Sequence, residues 1–163
     1  MPASPGSSTS PASPTSPVQR ILCVCTGNTC RSPMLATLLR QALVQAGRKD
    51  LVVDSAGTAA GPGDHASPEA ASAMARRGLD LAPHRSRNVL DLDLSTYDQV
   101  WCMTGNHSAF MRAHGVPAAK LNVVAVERGG VPDPFGGGLA EYEACALVLE
   151  DAARRIAERV GKR

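Results

Sequence analysis

The chain has 163 residues, 44% of them hydrophobic and 20% charged, with five cysteines and a formal net charge of +2 at neutral pH. That length suits one domain with a sizeable core, and the near-balanced charge argues against nucleic-acid and membrane-surface partners. An odd cysteine count without a regular framework points to a reducing, cytoplasmic setting rather than a disulfide scaffold, and no apolar run is long enough to span a membrane.

Residues Met1 to Pro17 are almost entirely Pro, Ser, Ala, Thr and Gly. Such a segment cannot bury enough apolar area to offset the entropy of ordering, so it is predicted to be a disordered tail preceding a domain over residues 18–163. It lacks the basic start and apolar centre of a signal peptide.

The domain opens on Ile21-Leu22-Cys23-Val24-Cys25-Thr26-Gly27-Asn28-Thr29-Cys30-Arg31-Ser32-Pro33. This reads as an apolar strand, a short polar loop with a glycine, and a helix entered beside an arginine. Backbone N–H groups at a helix start favour an anion, and Arg31 can add a bidentate clamp on phosphate. The same field favours a thiolate at Cys25, which is therefore the predicted nucleophile.

Met34, Leu35, Leu38, Leu39, Ala42, Leu43 and Ala46 then recur at helical spacing before Gly47. Leu51-Val52-Val53 leads into Asp54-Ser55-Ala56-Gly57-Thr58 as a second strand running into a turn. Ser67 as N-cap, Pro68 as first helical residue and Gly78 after Arg76-Arg77 frame a helix over about 68–77. A polar stretch with His84, Arg85, Ser86 and Arg87 follows. A third strand covers 98–103, a helix 106–114 and a fourth strand 120–126. Residues 127–138, with Gly129-Gly130, Pro132-Asp133-Pro134-Phe135 and three further glycines, must be loop.

Leu139, Tyr142, Ala146, Leu149, Ala153, Ile156 and Val160 form the apolar stripe of a closing helix. Alternating strands and helices predict an α/β three-layer sandwich around a four-stranded parallel sheet, with the phosphate loop after the first strand. The arginine pairs Arg76-Arg77 and Arg154-Arg155 are expected on solvated helix faces.

A thiolate attacking phosphorus needs a proton donor for the leaving group, and the loop has no carboxylate. Asp133 is the leading candidate: Pro132 and Pro134 stiffen its backbone and Phe135 can wall the pocket. Asp133 is equally compatible with a simple turn-forming role. No metal or other cofactor is expected, since Cys25 and Cys30 have no matching Cys/His pair downstream, and Cys23, Cys102 and Cys145 lie in apolar core patterns.

Three motifs in order, Val24 to Pro33, Asp54-Ser55-Ala56-Gly57-Thr58 and Asp133-Pro134-Phe135-Gly136, resemble the low-molecular-weight protein tyrosine phosphatases over about 18–160, and their bacterial protein arginine phosphatase branch. The resemblance implies a protein phosphatase acting on phosphorylated protein side chains. Cys25 would form a phosphocysteine, Arg31 and the amides of Thr26 to Cys30 would hold the phosphoryl oxygens, and Asp133 would serve as acid and then base.

It further implies that Ser32 hydrogen-bonds the nucleophile and that Asn28 adopts a left-handed conformation anchored by Ser55 and His84. Cys30 would trap an oxidised Cys25 as a reversible disulfide. Thr29 and Phe135-Gly136 resemble the arginine branch, because a hydroxyl on the pocket wall can bond a planar guanidinium. Phosphotyrosine is the alternative substrate. An arsenate reductase of the same fold needs relay cysteines that 79–99 lack, and a non-catalytic phosphate-binding module has little use for a general acid.

Overall fold

The computed structural model of the protein describes residues 18–161; the predicted tail lies outside the described residues. β1 (Arg20–Cys25) is followed by α1 (Arg31–Gln45), β2 (Val52–Gly57), α2 (Pro68–Ala75), β3 (Gln99–Cys102), α3 (Gly105–Ala113), β4 (Leu121–Val123) and α4 (Leu139–Gly161). The strands form one parallel sheet in the order β2-β1-β3-β4.

β1 is internal and covered on both faces, which is why it reads as an unbroken apolar run rather than an alternation. Its alternate residues separate into two cores. Ile21, Cys23 and Cys25 pack with α1, α2 and α4, whereas Leu22 and Val24 join Val100, Cys102 and Met111 on the side of α3. The predicted stripe of α4 is buried at Tyr142, Ala146, Leu149, Ala153, Ile156 and Val160. Because β1 ends at Cys25 and α1 starts at Arg31, the predicted nucleophile and the predicted phosphate-binding arginine sit at the two ends of one tight turn over the carboxyl end of the sheet.

Five elements differ at their boundaries from the sequence expectations, β3 being one residue shorter at each end than the expected 98–103. β2 continues through Asp54 and Ser55 to Gly57, because both polar side chains find partners: Asp54 meets Arg20, Arg87 and Tyr97, and Ser55 meets Asn28. α2 stops at Ala75, two residues early, and Arg76 to Gly78 form a turn closed by Gly78 at φ +74°. α3 spans Gly105–Ala113, one residue earlier at each end than expected, because Thr104 caps it. β4 ends at Val123, since Ala125 is left-handed at φ 53° and Val126–Arg128 closes a 3₁₀ turn.

Arg77 corrects a further expectation. Its side chain is half-buried against α4, where it pairs with Glu143 and Glu150, whereas Arg154 and Arg155 are solvated as expected and pair with Asp151 on their own helix.

Candidate active site

The loop between β1 and α1 is shaped by Asn28, which is fully buried and left-handed at φ 57°. Asparagine is among the few non-glycine residues that tolerate this region, and here every polar group of its side chain is used. Its Nδ2 donates to Ser32 Oγ at 2.8 Å and Ser55 Oγ at 3.0 Å, and its Oδ1 accepts the Arg87 N–H at 3.0 Å. His84 Nε2 lies 2.7 Å from the Asn28 carbonyl and must donate to it, so this nitrogen carries a proton. Burial nonetheless holds the His84 pKa below its ordinary value.

Cys25 Sγ accepts the Asn28 N–H at 3.3 Å and lies 3.0 Å from Ser32 Oγ, contacts suited to a sulfur carrying negative charge. Gly57 brings β2 against the loop: a Cβ there would lie 2.3 Å from the Thr26 carbonyl oxygen and 3.0 Å from Asn28 N. Glycine is thus sterically required at Gly57, whereas a Cβ on Gly27 would only touch Thr29 Oγ1 at 3.6 Å.

Arg31 is almost wholly buried. One terminal nitrogen donates to the Val131 carbonyl at 2.9 Å, the other lies 3.6 Å from Asp133 Oδ2, and the buried Nε–H has no hydrogen-bond partner. Burying an unsatisfied donor costs about 1–3 kcal/mol, which an anionic ligand would recover. Asp133 has half of its side chain exposed and accepts the Phe135 N–H at 3.1 Å, the geometry of an Asx turn. Phe135 stands 76% exposed.

These residues line a pocket of about 230 Å³: Cys25, Thr26, Gly27, Thr29, Cys30, Arg31, Asp133 and Phe135. A larger groove of about 630 Å³ between α1 and α4 has no cysteine, serine or histidine in its wall.

The match to known proteins follows the same outline. The model of the family described as low molecular weight phosphotyrosine protein phosphatase matches residues 20–163. The chain belongs to this family. It is 35% identical over 147 residues to a protein-arginine-phosphatase of Geobacillus stearothermophilus, covering 86% of this chain and 95% of that protein. It is 34% identical over 146 residues to a low molecular weight protein-tyrosine-phosphatase of Streptomyces coelicolor, covering 82% and 88%. Among solved structures, a YwlE arginine phosphatase whose active-site serine, introduced in place of cysteine, is phosphorylated superposes with a TM-score of 0.82 at 32% identity, covering 88% of this chain and 97% of that one.

Within this low-molecular-weight phosphatase, every residue predicted from the sequence falls on the pocket or on the Asn28 network: Ser32, Ser55 and His84 hold the loop through Asn28, and the others line the cavity. Other contributors were not anticipated, among them the Arg87 backbone N–H that Asn28 Oδ1 accepts. Val131 offers a carbonyl to Arg31, Tyr142 places its hydroxyl 3.2 Å from Cys30 Sγ, and His107 Nε2 lies 2.8 Å from Thr26 Oγ1. Tyr142 was visible only as part of an apolar stripe, and His107 is a lone histidine 81 residues from its partner, with no spacing to flag it. Both thiols of the loop are free, and Cys30 also reaches Ser67 Oγ at 3.4 Å. Among the described residues no cluster of three or more His, Cys, Asp or Glu could hold a metal ion, and no helix is long and apolar enough to cross a membrane.

Proposed function

We propose that this phosphatase removes phosphate from arginine side chains of proteins in the cytoplasm, through a phosphocysteine. Cys25 Sγ attacks phosphorus as the P–N bond breaks, and Asp133 gives its proton to the departing guanidine nitrogen. Arg31 and the loop amides hold the three equatorial oxygens. Water then attacks phosphorus as the S–P bond breaks, Asp133 takes its proton, and inorganic phosphate leaves with Cys25 restored as thiolate. The contacts from Asn28 N–H and Ser32 to Cys25 Sγ support both the attack and that departure.

The observation that carries the substrate choice is Thr29, whose hydroxyl-bearing side chain stands in the pocket wall where it can accept from a guanidinium N–H. The 35% identity to a protein-arginine-phosphatase supports the same reading. Phosphotyrosine is the second reading, favoured by the exposed Phe135 ring at the pocket, against which a phenol can stack.

The test is kcat/KM on one protein phosphorylated on arginine and on its counterpart phosphorylated on tyrosine, with Cys25→Ser as blank. A preference for phosphoarginine that falls in Thr29→Ile is expected. A preference for phosphotyrosine, unchanged in Thr29→Ile, would replace the first reading by the second.

A further inference from the structure

Thr26 follows the nucleophile, is exposed and lines the pocket, yet its hydroxyl is already engaged from behind. His107 Nε2 lies 2.8 Å from Thr26 Oγ1, and the other ring nitrogen, Nδ1, lies 2.9 Å from Thr104 Oγ1. The imidazole is buried, with 6% of the residue exposed. Thr104 is the N-cap of α3, and its Oγ1 accepts the His107 backbone N–H at 3.4 Å. A threonine cap is complete with that bond, so capping α3 does not account for either ring contact.

The direction of the chain is set by the tautomer of His107. Burial, and after it the Arg31 charge, push the His107 pKa down to about 4, so the ring is neutral and has one donor and one acceptor nitrogen. With the proton on Nε2, Thr104 Oγ1 accepts a backbone N–H and gives its own proton to Nδ1; with the proton on Nδ1, Thr104 Oγ1 accepts a second bond and Thr26 donates to Nε2. In the first tautomer Nε2–H donates to Thr26 Oγ1 and the Thr26 proton is free to meet an anion in the pocket, so a bound phosphoryl group favours that tautomer. The cavity that Thr26 lines is the one that holds Cys25 and Arg31.

We propose that the Thr26 hydroxyl is a further donor to the phosphoryl group and that His107, backed by Thr104, is the positioning residue that aims it. No bond to phosphorus is made or broken by this relay. It adds a preorganised donor where negative charge gathers on the equatorial oxygens, and a chain of polarised hydrogen bonds strengthens each link. The inference rests on the phosphatase reading and deepens it.

The experiment compares parent, Thr26→Val, Thr26→Ser, His107→Ala, His107→Gln and the double variant T26V/H107A. It reads kcat/KM on the preferred phosphoprotein, the inhibition constant of inorganic phosphate, and Tm. A lost hydrogen bond to a charged group corresponds to about tenfold or more. Thr26→Val and His107→Ala should each lose at least that in kcat/KM and bind phosphate more weakly. Thr26→Ser and His107→Gln, which keep a hydroxyl and a donor, should recover most of it.

Because His107 acts through Thr26, the double variant should be no worse than Thr26→Val alone. Thr26→Val matching the parent in kcat/KM and phosphate inhibition would overturn the proposal with the phosphatase reading intact. Multiplicative losses in the double variant would remove His107 as the group that aims Thr26. If His107→Ala fails to fold, His107→Gln and Thr26→Val still decide. A parent that neither turns over phosphoprotein nor binds phosphate would overturn the underlying phosphatase reading as well.

Discussion

Asn28 and Asp133 serve the same pocket and are held in opposite ways. Asn28 is fully buried, strained into the left-handed region and fixed by bonds to Ser32, Ser55, Arg87 and His84. Asp133 is half exposed, on a glycine- and proline-rich loop, tied by one 3.6 Å contact to Arg31 and one bond from its own turn. The first arrangement pays for a rigid anion cradle before any substrate arrives, which is what electrostatic preorganisation requires. The second leaves the predicted proton donor in water, free to meet leaving groups of different shape.

Substitutions on the two sides therefore have different signatures, and the widest gap is expected in activity. Asp133→Asn should cost on the order of 10²–10⁴ in kcat/KM on a phosphoprotein and less on an activated aryl phosphate, with Tm close to the parent. Equal losses on both substrates would remove Asp133 as the proton donor.

On the other side the expected damage is to the fold. Asn28→Ala strands Ser32, Ser55 and the Arg87 N–H and leaves an alanine at φ 57°, so it should destabilise by about 2–4 kcal/mol in denaturant unfolding. A change within about 0.5 kcal/mol would mean that the cradle is not held by this network.

A smaller effect sharpens the same comparison through pH. His107 keeps its folded pKa at about 4 against an ordinary 6.5, so between those values the unfolded chain binds the extra proton and stability is lost as pH falls. The slope should be shallower in His107→Gln, with a difference of no more than about 3 kcal/mol at the acid end. Parallel Tm curves for the two proteins from pH 6.5 to 4 would show that the ring protonates in place without cost.

The sequence by itself determined the parallel α/β plan and the position of the phosphate loop, with Cys25 and Arg31 at its two ends. The reason is that these depend on short-range order: an apolar run, a turn and a helix start within thirteen residues. Asp133 stood out as a carboxylate between two prolines, and Ser32, Ser55 and His84 were legible through motifs resembling a family. Only the tertiary structure decided which polar groups meet across the sheet. It set Arg77 between α2 and α4, joined Tyr142 to Cys30, and brought His107 from the start of α3 to Thr26. The last pairing is fixed by how β1 and β3 lie side by side in the sheet and the first two by how α4 packs on α2 and α1, and a lone histidine or a stripe residue carries no mark of the partner that packing will bring to it.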